Sequence, residues 1–130
     1  MRPEPNRLRA LELFAELSPE DLETVSRWSD VRTAGAGERL TPQGAAGSSF
    51  FVIESGTADV VQDGRSIATL GPGDLFGEVA VVTGARWMAD VVAATDLTAI
   101  EIAASGYRDI EASMPELAER IRAATQQRLA

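Results

Sequence analysis

The sequence predicts a mainly β domain, an antiparallel sandwich or barrel with helices at both ends, and three observations predict it. From Val31 to Ile102 the chain is a succession of short β-branched and aromatic runs broken by glycine at close intervals, the texture of an antiparallel β fold. Before and after that region, apolar residues recur at three- and four-residue steps, the period of a helix face. Finally, 130 residues that are 45% hydrophobic and 25% charged make one ordinary globular unit, able to bury about two thirds of its unfolded surface. We therefore expect a single domain over residues 1–130, with helices in 1–30, the β region in 31–102 and further helices in 105–130.

In "LRALELFAEL", Leu8, Leu11, Phe14 and Leu17 line one face and predict a first helix. In "SPEDLETVSRW", Ser18 suits the cap, Pro19 the first helical position, and Glu20 and Asp21 the positive end of the helix dipole. Leu22, Val25 and Trp28 share a face of this second helix, as core packing requires. The segment "QGAAGSS" is rich in glycine and small residues, which predicts a mobile loop. "SSFFVIESG" reads as a strand ending at Gly56, and "TADVVQDGRSIATLG" as a hairpin whose Asp63-Gly64 pair suits a two-residue turn with positive φ. Leu97 to Ile102 is the last strand. Ser105 is placed to cap "GYRDIEASM", and "PELAERIRAATQQRL" sets Leu117, Ile121 and Ala124 beside Ala118, Thr125 and Leu129 on adjoining stripes.

Charge and composition narrow the function. A net charge of −8 disfavours a broad nucleic-acid or anionic-membrane surface, since both need attraction to phosphates. Cysteine is absent, so there is no disulfide framework or thiol nucleophile. Histidine is also absent, which removes the commonest general base and zinc ligand. No paired acid and base mark a shared site, so we expect no enzyme. No apolar run reaches membrane-spanning length and the N-terminus has no signal-peptide core, so we expect a cytoplasmic protein with no membrane contact. "GPGDLFG" lacks the spacing and the βαβ setting of a dinucleotide loop, and Asp74, Glu78 and Asp90 are too scattered for a loop chelate.

The stretch "GDLFGEVAVVTG" resembles the phosphate-binding cassette of the cyclic nucleotide-binding domain family, in which Phe-Gly-Glu and an aliphatic run are followed by a short loop and Pro-Arg-Ser-Ala or a near relative. The likeness extends over nearly the whole chain, from "LFAELSPEDLE" through "GAGERL" and "SSFFVIESGTADVV" to "PELAERI". It implies a double-stranded β-helix, a jelly-roll or β-roll, with a short cassette helix near residues 77–83. It implies no cofactor and a cyclic mononucleotide as ligand, cyclic AMP ahead of cyclic GMP. A phosphate would then lie at the start of the cassette helix, where free amides and the dipole attract an anion. Gly77 would permit close approach of the ligand, and Glu78 would accept the ribose hydroxyl proton. Phe76, Val79 and Ala80 complete the implied cassette contacts. The signal would pass to the C-terminal helices and, through them, to a second copy or another protein; no helix-turn-helix follows, so direct DNA binding is not expected.

The chain departs from the family at the residue that holds the phosphate. Counted without gaps from Phe76 to Asp96, Trp87 falls where the family's arginine belongs; Arg86 stands one residue early and Met88 replaces a small residue before Ala89. That arginine forks onto two phosphate oxygens, a geometry particular to guanidinium. Three readings stay open. Arg86 reaches the phosphate by a changed loop path; Trp87 and Met88 fill the pocket and leave a ligand-free interaction or dimerisation module; or the pocket takes a different, flat or uncharged ligand on which Trp87 stacks. Arg65 is too near a turn tip to substitute. Arg122, Thr125, Gln126 and Arg128 offer polar groups near the ligand's base but no aromatic lid, so base selectivity is not read.

Overall fold

The run Ser49–Ser55 is apolar at consecutive positions because both of its faces are covered, and the layering of the molecule follows from that strand. A computed structural model describes residues 1–129, with side chains through Thr125. Its elements are α1 (Pro5–Arg9), a 3₁₀ turn (Glu12–Phe14), α2 (Pro19–Arg27), β1 (Ser29–Ala34), β2 (Arg39–Thr41), β3 (Ser49–Ser55), β4 (Ala58–Gln62), β5 (Arg65–Leu70), β6 (Leu75–Phe76), α3 (Glu78–Thr83), β7 (Asp90–Ala93), β8 (Leu97–Ala103), α4 (Ala104–Ser113) and α5 (Pro115–Leu129). The strands form two four-stranded antiparallel sheets, ordered β1-β8-β3-β6 and β2-β7-β4-β5.

Along a strand, successive side chains point to opposite faces. In β3, Phe51 and Ile53 enter the core between the sheets with Val60, Phe76, Val91 and Leu97, whereas Phe50 and Val52 face the helices. Strand β8 divides in the same way: Leu97 and Ala99 point inward, Ile100 and Ile102 toward Leu22, Val25, Tyr107, Ile110, Leu117 and Ile121. Two apolar layers therefore share one central pair of strands. Phe51 and Phe76 stack with ring centroids 4.7 Å apart, and Phe50 meets Tyr107 edge to face at 6.4 Å. The Asp63-Gly64 turn of the β4–β5 hairpin has φ of 52° and 80°, the positive values its sequence predicts.

Several expectations are corrected. Leu8 to Leu17 is not one helix: Leu11 is extended at φ −90°, ψ 130°, and separates α1 from the 3₁₀ turn. The amides of Leu11, Phe14 and Leu17 bond to the carbonyls of Leu8, Leu11 and Phe14 at 2.9, 3.0 and 3.2 Å. The apolar spacing is strictly three, which suits i to i+3 bonding rather than a 3.6-residue face. The β region runs from Ser29 to Ala103 rather than from 31 to 102. Ser105 is not the cap of α4; the strand passes directly into the helix, with Ala103 as N-cap. Ser18 does cap α2, accepting from the Asp21 amide at 3.1 Å.

The helices are fastened by ion pairs as well as packing. Arg7 donates to both carboxylate oxygens of Glu54 at 2.6 Å, tying α1 to β3, and that carboxylate holds the guanidinium pKa above its ordinary value. Arg122 of α5 pairs with Glu119 at 2.9 Å and with Glu111 of α4 at 3.5 Å. Thr125, expected as a polar group near the ligand, is buried and donates to the Ile121 carbonyl of its own helix at 3.1 Å. The side chains of Gln126, Arg128 and Leu129 lie outside the described residues. Among the described residues no helix is long and apolar enough to cross a membrane.

Two measurements check this architecture. Phe51→Ala removes a fully buried ring and should cost about 3–5 kcal/mol in urea unfolding, whereas Ile67→Ala, 57% exposed, should change stability by less than about 0.5 kcal/mol. Burial of the phenol raises the pKa of Tyr107. The folded form therefore keeps the proton longer than the unfolded chain, and the stability contributed is complete below pH about 10 and lost as pH rises through the folded value. Tyr107 is the only tyrosine and the chain has no lysine or cysteine. The decline in melting temperature above pH about 10 should thus flatten in Tyr107→Phe.

Candidate functional site

The cassette segment is built by two turns and a tether. Gly77 has φ 81° and Gly84 φ 72°, so α3 begins and ends on left-handed residues that set its six residues across the mouth of the roll. The loop predicted to be mobile is instead bound to the segment after α3. The Gly44 amide donates to the Trp87 carbonyl at 2.8 Å, and the Trp87 amide donates to the Ala45 carbonyl at 2.9 Å. The Gly47 amide reaches the Ala85 carbonyl at 3.3 Å, and Ala46 and Arg86 form an antiparallel bridge. A Cβ at Gly47 would fall 2.4 Å from that of Ala80, so only glycine lets the loop rest on α3.

This pairing sends neighbouring side chains to opposite sides. Trp87 turns inward and packs against the inter-sheet core; Arg86 turns out, is exposed, and donates from Nη1 to the Gly44 carbonyl at 2.8 Å. Between α3, the β4–β5 hairpin and residues 87–89 lies a cavity of about 570 Å³. It is walled by Gly77, Glu78, Val79, Ala80, Trp87, Met88 and Ala89. Of the residues singled out from the sequence, Phe76 and Arg86 lie off this wall: Phe76 is stacked on Phe51 inside the roll, and Arg86 faces solvent.

The rest of the wall was not singled out from the sequence. Val60 and Gln62 of β4 and Ala68 and Leu70 of β5 face the cavity as i, i+2 pairs, an alternation the hairpin sequence carried; Ile67 joins them beside the β4–β5 irregularity. Thr41 and Val91 close the far side, with Thr41 Oγ1 donating to the Ala89 carbonyl at 3.2 Å and accepting from the Val91 amide at 3.1 Å. Gln62 Nε2 donates to the Met88 carbonyl at 3.2 Å and links hairpin to cassette. Ile67 and Met88, 57% and 50% exposed, stand at the mouth.

Electrostatically, the cavity is unlike a phosphate site. Among the described residues Glu78, which is wholly buried, is the one charged residue on the wall, and no arginine lines it. The indole Nε1 of Trp87 is buried and has no hydrogen-bond partner among the described residues. It lies 3.1 Å from where a Cβ of Gly77 would stand. A second groove of about 620 Å³ runs between the 3₁₀ turn, residues 73–75 and α5, but its Arg120 is already bonded to Glu16 at 2.5 Å and to the Leu13 carbonyl at 3.4 Å.

Comparison with known proteins bears on this cavity. The family model of the cyclic nucleotide-binding domain matches residues 31–113. Glutaminase 2 of Bradyrhizobium diazoefficiens is 34% identical over 110 residues, which are 84% of this chain and 18% of that protein. A cAMP-dependent protein kinase regulatory subunit of Yarrowia lipolytica is 35% identical over 81 residues, 62% of this chain and 22% of that one. The chain thus spans about a fifth of these relatives. In structure, a putative cyclic nucleotide-binding protein of Geobacter metallireducens superposes with a TM-score of 0.84 over 98% of this chain and 99% of its own, at 18% identity, a likeness of fold alone.

Two glycine variants test the local geometry. Gly73 and Gly77 share a left-handed φ, 89° and 81°, but a Cβ at Gly73 meets nothing, while one at Gly77 meets the Ser49 carbonyl oxygen at 3.0 Å and the Trp87 indole. Gly73→Ala should cost about 1 kcal/mol and Gly77→Ala roughly 2–3 kcal/mol. In a Trp28→Phe background, Gly77→Ala alone should shift the Trp87 emission.

Proposed function

Because the chain belongs to the cyclic nucleotide-binding domain family, we propose that it is a regulatory module whose ligand sits in the cavity between α3 and the β4–β5 hairpin. The observation that carries this reading is the convergence of the cassette residues on one space. Gly77, Glu78, Val79 and Ala80 meet the hairpin across about 570 Å³, a volume suited to a small organic ligand. Domains of this family are regulatory rather than catalytic, and in Glutaminase 2 the shared segment is part of a longer chain.

Each implied role is assigned, on this reading, to a residue of the wall. Glu78, buried on the wall, would accept a ribose hydroxyl, a bond that charge strengthens. Gly77 lets the ligand approach the backbone. Val60, Ala68 and Leu70 offer an apolar bed for a flat base, and Ile67 and Met88 overhang it. Cyclic AMP is the ligand the resemblance implies, with cyclic GMP as the alternative.

Signalling would use the far side of α3. Val81 is buried in the helix-facing core with Leu117 and Ile121, and Val82 packs beside it. α3 touches α4, α5 and β3. A ligand that repositions α3 must therefore repack the C-terminal helices, and a second copy or another protein would read the result. A second reading, an interaction module without ligand, is favoured by one observation: Trp87 occupies wall space that a counter-charge would need.

The test is a panel of cyclic AMP, cyclic GMP, adenosine and guanosine at millimolar concentration. At least one should raise the melting temperature, since a ligand at a hundredfold excess over Kd stabilises by about 2.7 kcal/mol, and should slow amide exchange in both α3 and α5. No shift with any of the four leaves the interaction module.

A further inference from the structure

We propose that Gln43 and Asp63 form a latch that holds the β4–β5 hairpin over the mouth of the cavity and sets how fast a ligand enters and leaves. What passes the mouth rests on the cavity being a ligand site, whereas the latch belongs to the free protein.

The hairpin is fastened unequally along its length. At its base Ala58 and Leu70 are buried in the inter-sheet core. Toward its tip the support falls away: β5 is the edge strand of its sheet, and every residue from Arg65 to Thr69 is exposed. β4 leaves the ladder with β7 at Val61, opposite Asp90. At the same point the hairpin's own register slips, with Val60 pairing with Ala68 and Val61 with Ser66, so Ile67 has no partner across the strands. An extra residue of this kind bends its strand. The bend lies beside the mouth, where Ile67 and Met88 stand.

Beyond the bend, side-chain bonds hold the tip. Gln43 Nε2 donates to Asp63 Oδ1 at 2.8 Å, and the Asp63 amide donates back to Gln43 Oε1 at 3.1 Å, so one side chain closes a two-way bond on the turn. Gln62 Nε2 adds a third, to the Met88 carbonyl at 3.2 Å. The anchor side is fixed: the Gln43 amide donates to Asp90 Oδ1 at 2.6 Å, and the nearby Thr41 is buried and bonded to Ala89 and Val91. All three bonds of the tip are exposed, and water replaces a lost partner there at little cost. Such a fastening lets the tip open and close on the timescale of lid motions while the base stays packed. Gln43 also directly precedes Gly44 and Ala45, which exchange backbone bonds with Trp87. The loop that orients the cassette therefore carries the catch of the lid as well.

Amide exchange and acrylamide quenching read the latch in the whole chain without a ligand. Gln43→Ala should speed exchange at residues 62–66 by about three- to tenfold and leave β3 and β8 as in wild type. Gln43→Glu, which sets a carboxylate beside Asp63 and Asp90, should speed it further. Asp63→Asn keeps the accepting oxygen and the tolerance of positive φ, and should exchange as wild type does. In a Trp28→Phe background, quenching of Trp87 on the cavity wall should rise in Gln43→Ala and not in Asp63→Asn. For whichever of cyclic AMP, cyclic GMP, adenosine and guanosine binds, Gln43→Ala should raise association and dissociation rates by the same factor and leave Kd as in wild type. Hairpin exchange or Trp87 quenching that Gln43→Ala leaves unchanged, or a bound ligand whose rates it leaves unchanged, overturns the proposal while the ligand-site reading stands. Absence of binding by all four compounds overturns the ligand-site reading and the gating of a ligand with it, and exchange and quenching then decide the latch alone.

Discussion

Trp87 gives one backbone hydrogen bond to the loop at Ala45 and receives one from Gly44, and the orientation of the candidate site depends on this exchange. Backbone pairing decides which of two adjacent side chains enters the roll. It places an indole inside and a guanidinium outside, although the guanidinium is only one residue away in the sequence. The tether itself depends on small residues: Gly47 has no side chain to strike Ala80, and Ala45 and Ala46 leave the bridge uncrowded. A glycine-rich segment that reads as a flexible loop therefore acts as the clamp that fixes the chemistry of the wall.

The same cassette is a structural joint. α3 lies between the cavity and the helix-facing core: Ala80 lines the cavity while Val81 packs with Leu117 and Ile121. Successive residues of one short helix thus touch the cavity and the C-terminal helices. Because protein interiors are closely packed, a displacement of α3 is not absorbed locally. Arg120 to Glu16 and Arg122 to Glu111 and Glu119 are polar contacts that α5 must keep or exchange if it moves. Their exposure makes them inexpensive to break, which suits an element that shifts.

Much of the fold was legible because it rests on short-range signals. Ser18, Pro19, the Asp63-Gly64 pair and the aromatic and β-branched run in "SSFFVIESG" each act within a few residues, and α2, the hairpin turn and β3 formed where those signals placed them. The first helix was misjudged because the strict three-residue spacing of Leu8, Leu11, Phe14 and Leu17 passes for a helical face although it suits i to i+3 bonding better; the extended Leu11 separates α1 from the 3₁₀ turn. In the site, the cassette motif placed Gly77 to Ala80 and Trp87 to Ala89 around one space. The hairpin half of the wall was missed, since Val60, Gln62, Ala68 and Leu70 look like any strand until the hairpin folds over α3. The direction of Arg86 was illegible for the same reason: it is set by pairing with a loop forty residues earlier, a contact that no local pattern encodes.

The most direct measurement is of the Trp87 indole N–H itself. In a ¹⁵N-labelled Trp28→Phe protein, the remaining indole proton should show a nuclear Overhauser contact to the Gly77 α-protons and exchange slowly with water. A rapidly exchanging indole without that contact, with the Arg86 side chain showing contacts to Ala80 or Glu78 instead, would contradict the account.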